Sequence, residues 1–203
     1  MMRRPGGADF APNAYVFPGG SVHEVDRSFA DPFRAAAVRE LFEEVGLLLA
    51  RRRGGRTARP ADCDRLRALI AGGQEWRAAL ASAELTPAPD RLVPLARWIT
   101  PEQLTRRFDT WFFVAARPHA QQVVPQSGEV AEWLWISPSD ALSGGLELVH
   151  VTRRILESVA SEVDARRLIS RLRRRRRPPL AIQPRLIRLP DGGVELLEEE
   201  LTS

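Results

Sequence analysis

Arg39-Glu40-Leu41-Phe42-Glu43-Glu44-Val45-Gly46-Leu47, preceded by Phe17-Pro18-Gly19-Gly20, is the stretch on which the reading of this chain turns. Residues 39–45 predict a helix, and Gly46 stands where a helix C-terminus favours a residue with positive φ. At about 3.6 residues per turn, Glu40 and Glu44 share one side, with Glu43 beside them. Arg39 lies four positions before Glu43, so its guanidinium can hold that carboxylate in place. Three acids on one helix face repel each other. A hard divalent cation such as Mg²⁺ relieves the repulsion, because it takes oxygen ligands and only a few of them from protein. The competing reading of the same pattern is a solvated acidic helix face, the commoner outcome for an arbitrary E-x-x-E-E helix.

The segment resembles the Nudix hydrolase box, G-x5-E-x7-R-E-U-x-E-E-x-G-U, where U is a bulky aliphatic. Gly20 supplies the opening glycine, and residues 39–47 match the second half at every position. The Phe-Pro-Gly-Gly lead-in is also typical of that family. The middle departs from the pattern. Asp26 stands where the box has its first glutamate, with Glu24 as the rival for that role, and twelve residues rather than seven separate Asp26 from Arg39. The five extra residues lie within 27–33 and lengthen the loop before the helix. Asp31-Pro32 then reads as an N-cap followed by proline at the first helical position.

The resemblance implies an α/β fold, an α/β/α sandwich on a mixed sheet, and a set of roles. Glu43 and Glu44 would bind Mg²⁺ directly, with Mn²⁺ as an alternative cation. Glu40 would bind it through water or deprotonate the nucleophile, and the Gly19 carbonyl would add an oxygen. Arg39 would orient Glu43. Relatives often place a further acid, as ligand or base, where Glu129 stands; Glu132 is its weaker rival.

A narrower similarity comes from Trp98-Ile99-Thr100-Pro101, Arg106-Arg107-Phe108-Asp109-Thr110 and Phe112-Phe113, preceded by a helical insertion. This arrangement resembles the coenzyme A diphosphatase-like branch of the Nudix family. It implies a pyrophosphohydrolase that cuts a nucleoside diphosphate linked to another moiety, with coenzyme A or acyl-CoA as the first candidate. Arg106 and Arg107 would meet substrate phosphates, which guanidinium groups match bidentately. The lengthened loop and the helices at 61–83 would line the pantetheine side. A nucleotide-sugar, dinucleotide or NADH pyrophosphatase is the alternative within the class. A ligand-sensing or nucleic-acid-binding module without turnover is the alternative outside it.

At 203 residues and 44% hydrophobic content the chain suits one domain with elaborations. The expected organisation is a single domain over 1–203, with a helical insertion at about 51–91 and a C-terminal helix plus hairpin at about 146–198. No apolar run reaches the ~18 residues of a membrane span, and the N-terminus lacks the apolar core of a signal peptide. A single cysteine, Cys63, excludes an intrachain disulfide and points to the cytoplasm. All 30 basic residues are arginine, and the net charge of +4 is modest. The run at Arg171 and 173–177 reads as a solvated helix end. Without interleaved aromatics to stack bases, nucleic acid is disfavoured as a partner. The expected partner is a small nucleotide substrate, and a homodimer stays open. His23, His119 and His150 are scattered and read as surface or internally satisfied residues.

Residues 1–5 read as the tail of a strand that begins upstream. Further strands are expected at 14–17, 92–99, 108–116 and 131–136. Residues 51–56 read as a loop. A short helix opens at Ser137, one long helix runs from 146 to about 171, and a hairpin joins 184–189 to 194–197 through Asp191-Gly192-Gly193.

Overall fold

The structure is a computed structural model and describes residues 1–190, 192–198 and 200–201. In chain order the elements are β1 (Met2–Arg3), β2 (Tyr15–Val16), α1 (Glu24–Arg27), α2 (Pro32–Val45) and β3 (Ala50–Arg52). Then come α3 (Pro60–Ala71), α4 (Trp76–Ser82), β4 (Leu85–Pro87), a 3₁₀ turn at Pro89–Arg91, β5 (Val93–Ile99) and β6 (Asp109–Val114). The remainder is β7 (Glu132–Trp133), α5 (Pro138–Ser143), α6 (His150–Val159), α7 (Ala165–Arg173), β8 (Ala181–Ile182), β9 (Arg185–Arg188) and β10 (Val194–Leu197). Helices and strands mix along the chain as expected for an α/β protein. It divides into two compact units, one of residues 1–92 and 116–163, the other of 93–115 and 164–203.

The first unit is built around α2, which begins and ends where its residues dictate. The Asp31 side chain accepts from the Arg34 N–H at 3.1 Å, Pro32 occupies the first turn, and Gly46 closes the helix at φ 73°. Glycine is needed there twice over, since a Cβ at Gly46 would lie 3.0 Å from Arg67 and from Val124. Val38 on α2, Leu48 and Leu49 beyond it and Leu66 of α3 are fully buried. In the three-stranded sheet β2-β1-β7, β1 is the central strand, antiparallel to both neighbours. Met2 of β1 packs with Val45 and Leu47, joined by Val16, Leu41, Val123 and Val130.

The insertion forms the two helices expected of it, α3 and α4. They lie against Phe42, whose ring is 5.7 Å from that of Trp76 and 5.6 Å from the Arg67 guanidinium. Phe42 projects about 200° around α2 from both Glu40 and Glu44, so the insertion packs on the side of the helix opposite those two carboxylates rather than over them. Arg77 of α4 lies 5.9 Å over the ring of Phe29, in the lengthened loop before α2. The insertion and the lengthened loop therefore meet at this pair. Cys63 is buried in α3, and desolvation pushes its thiol up to about 11, which leaves it inert at neutral pH.

Three local expectations are corrected. Residues 51–56 are not wholly loop: Arg51 and Arg52 extend β3, which pairs with β4, a strand without an advance signal in the sequence. Their charges are met outside the ladder, Arg51 by both oxygens of Asp90 at 2.6 and 2.5 Å and Arg52 by Asp62 at 3.5 Å. The strand expected at 131–136 shortens to β7. The single long helix is two, α6 and α7. Asp164 caps α7 by accepting from the Arg166 N–H at 2.8 Å, and Val163, which a continuous helix would have turned inward, is fully exposed. The break falls where one unit ends and the other begins.

In the second unit β5 is the central strand of β6-β5-β8, antiparallel to β6 and parallel to β8. Pro94 sits at a register shift in this strand, the place where a residue with no N–H to donate is tolerated. α7 packs against β5 with Leu168 and Leu172 buried. β9 and β10 pair antiparallel as the expected hairpin. Asp191, named in its turn, lies outside the described residues.

Candidate metal and catalytic site

Arg39 is the hub of the site. It is 2% exposed and distributes its guanidinium over three acids and one carbonyl. Nε and Nη2 meet Asp26 at 3.1 and 2.8 Å, Nη1 meets Glu40 at 2.8 Å and Glu43 at 2.7 Å, and Nη2 donates to the Ser21 carbonyl at 3.0 Å. Burial alone would loosen its proton. The hydrogen bond to Asp26 and the charges of Glu40 and Glu43 more than offset this, so the guanidinium is held charged. The expected grip on Glu43 is present, and it is one part of a wider clamp.

Asp26, rather than Glu24, is the acid that pairs with Arg39. It is fully buried, and beyond Arg39 its Oδ2 accepts from the His23 N–H at 2.9 Å. Glu24 is solvent-facing and lies 3.7 Å from Arg27. Between two acids that the spacing left in competition, burial and the Arg39 fork select Asp26.

The Pro-Gly-Gly turn meets α2 through backbone. The Gly19 N–H donates to Glu44 Oε2 at 2.7 Å. A Cβ on Gly20 would stand 2.5 to 2.8 Å from the carboxylate atoms of Glu40, so a larger residue there would displace that carboxylate from its place beside the turn. Glu44 is 6% exposed. Desolvation pushes its carboxyl up to about 8, the charges of Glu40 and Glu129 push the same way, and the Gly19 N–H and Arg4 oppose them. Glu43 is likewise raised by burial, with the Arg39 bond opposing.

Among the described residues no three His, Cys, Asp or Glu side chains are already gathered as a ligand set for a metal. The carboxylates are turned instead toward Arg39 and Gly19. These bonds engage Oε1 of Glu40, Oε2 of Glu43 and Oε2 of Glu44, so each contact is made through one oxygen of its carboxylate. Hard oxygen donors with mutual repulsion and a site that favours a proton on Glu44 are the chemistry that a hard dication suits.

Glu129 is exposed in the turn at 127–129, which the Val130 N–H closes on the Gln126 carbonyl at 3.2 Å. Its rival Glu132 is committed elsewhere, accepting from Tyr15 at 2.7 Å and Arg3 at 3.1 Å. Arg106 and Arg107 lie in the second unit, exposed in the loop between β5 and β6, with Arg106 5.2 Å over the Phe108 ring. Asp109 is taken up by Arg97 at 2.8 and 2.6 Å. The residues drawn together are thus Gly19, Gly20, Asp26, Arg39, Glu40, Glu43 and Glu44, with Glu129 acting on Glu44 through its charge. Arg4, which also acts on Glu44, carried no signal in the sequence, because only the strand pairing of β1 brings it there.

A family model described as the NUDT19 Nudix domain matches residues 29–146. The chain is 34% identical over 142 residues to nudix hydrolase 7 of Caenorhabditis elegans, covering 70% of this chain and 47% of that protein. It is 32% identical over 157 residues to the human acyl-coenzyme A diphosphatase NUDT19, covering 67% of this chain and 41% of that protein. The chain therefore spans less than half the length of either relative. The crystal structure of a Nudix hydrolase from Alicyclobacillus acidocaldarius superposes with a TM-score of 0.69 at 25% identity, over 83% of this chain and 86% of that one. The family match takes in both the helix that carries the carboxylates and the turn that carries Glu129, and the fold agrees with it: the chain belongs to the Nudix hydrolase family.

Proposed function

We propose that this chain hydrolyses the diphosphate link of a nucleoside diphosphate joined to another moiety, using Mg²⁺ or Mn²⁺, with coenzyme A or an acyl-CoA as the first substrate to test. The observation that carries the reading is the gathering of Glu40, Glu43 and Glu44 about Arg39 and the Gly19-Gly20 turn. The substrate class is supported by the name of the human relative, an acyl-coenzyme A diphosphatase.

Glu43, Glu44, Glu40 and the Gly19 carbonyl would hold the cation. When bound, it supplies positive charge to the diphosphate and acidifies a water molecule. Arg39 anchors one oxygen each of Glu40 and Glu43 and so limits the freedom of both carboxylates. The Gly19 N–H does the same for Glu44. Glu40, beside the Gly20 backbone, would accept a proton from the attacking water, and the charge of Glu129 would act on Glu44. Arg106 and Arg107, exposed in the second unit, are proposed as binders of phosphate groups.

The test is a panel of coenzyme A, an acyl-CoA, ADP-ribose, a nucleotide sugar, a dinucleotide and NADH, each incubated with the full chain and Mg²⁺ or chelator. The expected products from coenzyme A are 3′,5′-ADP and 4′-phosphopantetheine. Cleavage of ADP-ribose with coenzyme A left intact would move the substrate to the alternative class. No Mg²⁺-dependent cleavage of any member would favour a ligand-sensing module without turnover.

A further inference from the structure

Gln121 is 2% exposed, in the segment of the first unit that runs up to β7. Its side-chain oxygen accepts from the Leu48 N–H at 2.8 Å, and its Nε2 donates to the carbonyls of Leu48 at 3.1 Å and Ala58 at 3.0 Å. Turning the amide over would set its oxygen against two carbonyls, so the network fixes its orientation. A side chain thereby does the work of a strand rung beside Leu48, just beyond the end of α2.

The same segment is fastened twice more to that helix end. The Val124 N–H donates to the Val45 carbonyl at 3.0 Å and the Gln126 N–H to the Glu44 carbonyl at 2.9 Å. Gln126 is also the base of the turn that carries Glu129, and on the far side of that turn the Ala131 N–H donates to the Arg3 carbonyl at 2.9 Å. Val123 and Val130 pack onto the cluster of Met2, Val45 and Leu47. The turn itself is polar and exposed, so its place is set by these attachments on either side.

We propose that Gln121 is a positioning residue: it locks the 121–131 segment onto the end of α2 and so holds Glu129 beside Glu44. The proposal rests on the reading of Glu129 and the α2 carboxylates as one cation site. A carboxylate delivered from a loop needs such support, because a functional constellation must be held to within about 0.5 Å. Gln121 lies far in sequence from the groups it binds and matches no motif.

The experiment is a Mn²⁺ titration of the full chain followed by electron paramagnetic resonance, with melting curves in parallel. Gln121→Met keeps the bulk and removes the bonds. It should weaken Mn²⁺ binding by about tenfold, as supporting groups of metal ligands do. Glu129→Gln should weaken it as well, and the double variant should bind no more weakly than the weaker single one. A lowered melting point with unchanged Mn²⁺ affinity, or losses that simply add, would reduce Gln121 to a structural residue. Unchanged affinity in Glu129→Gln would instead overturn the placing of Glu129 in the site, and this proposal with it. Should Gln121→Met not fold, amide exchange in the unaltered protein decides. Mg²⁺ should slow exchange at Val124, Gln126 and Val130 together, and no change at those amides would overturn the proposal.

Discussion

Arg39 grips Asp26 through both carboxylate oxygens, Nε at 3.1 Å from Oδ1 and Nη2 at 2.8 Å from Oδ2, in a pair of which both members are buried. Removing one partner of a buried pair strands the other's charge, which costs about 3–5 kcal/mol. Arg39→Ala should therefore lower stability by about that amount as well as slowing turnover, since Glu40 and Glu43 lose their common anchor. Urea unfolding and steady-state kinetics on the same preparation check this. Asp26→Asn, which keeps the shape, should be milder in both. A stable Arg39→Ala protein would mean that the clamp is dispensable.

Glu44→Gln deletes one ligand charge and keeps the side chain's shape. Activity should fall by roughly two orders of magnitude or more, with the melting temperature of the metal-free protein unchanged or raised, because a neutral amide suits this buried position. Full turnover at saturating Mg²⁺ would remove Glu44 from the site.

The same residue gives a pH dependence. In the folded, metal-free protein the Glu44 carboxyl titrates at about 8, against an ordinary 4.5. Between those values the folded state binds more protons than the unfolded one, so stability falls as pH rises through that window and levels off above it. Melting temperature measured in chelator from pH 5 to 8.5 should decline accordingly. The decline should flatten in Glu44→Gln, and also in Mg²⁺, which takes the place of the proton. An equal slope in the variant would assign the effect to another group.

Trp76 joins the insertion to α2 through Phe42, on the face turned from Glu40 and Glu44. Trp76→Ala should destabilise the protein by about 3–5 kcal/mol while leaving KM and kcat unchanged below the new melting point. A raised KM for coenzyme A with no loss of stability would instead place the insertion at the substrate.

How much could be read in advance follows the range of the interactions. The α2 helix, its Asp31 cap, the Gly46 stop and the shared side of Glu40, Glu43 and Glu44 depend on residues within a few positions of one another. Periodicity and cap chemistry therefore specify them without reference to the rest of the fold. The hairpin of β9 and β10 and the two insertion helices are local in the same sense. Two acids compete near Gly20, and only folding decides between them: Arg39 is 13 positions from Asp26, and the cost of burying its charge is met by the acid that is buried with it. Glu132 could serve as a site acid by its position, yet Tyr15, 117 residues away, claims it when β1 pairs with β2 and β7. Gln121 reaches Leu48 across 73 residues to satisfy buried backbone groups that no local pattern advertises. The long helix expected at 146–171 had the right period, but its apolar residues serve two units, and the chain had to turn at Val163 to deliver them. Local spacing determined which residues could carry the chemistry; burial and long-range hydrogen bonding determined which of them meet.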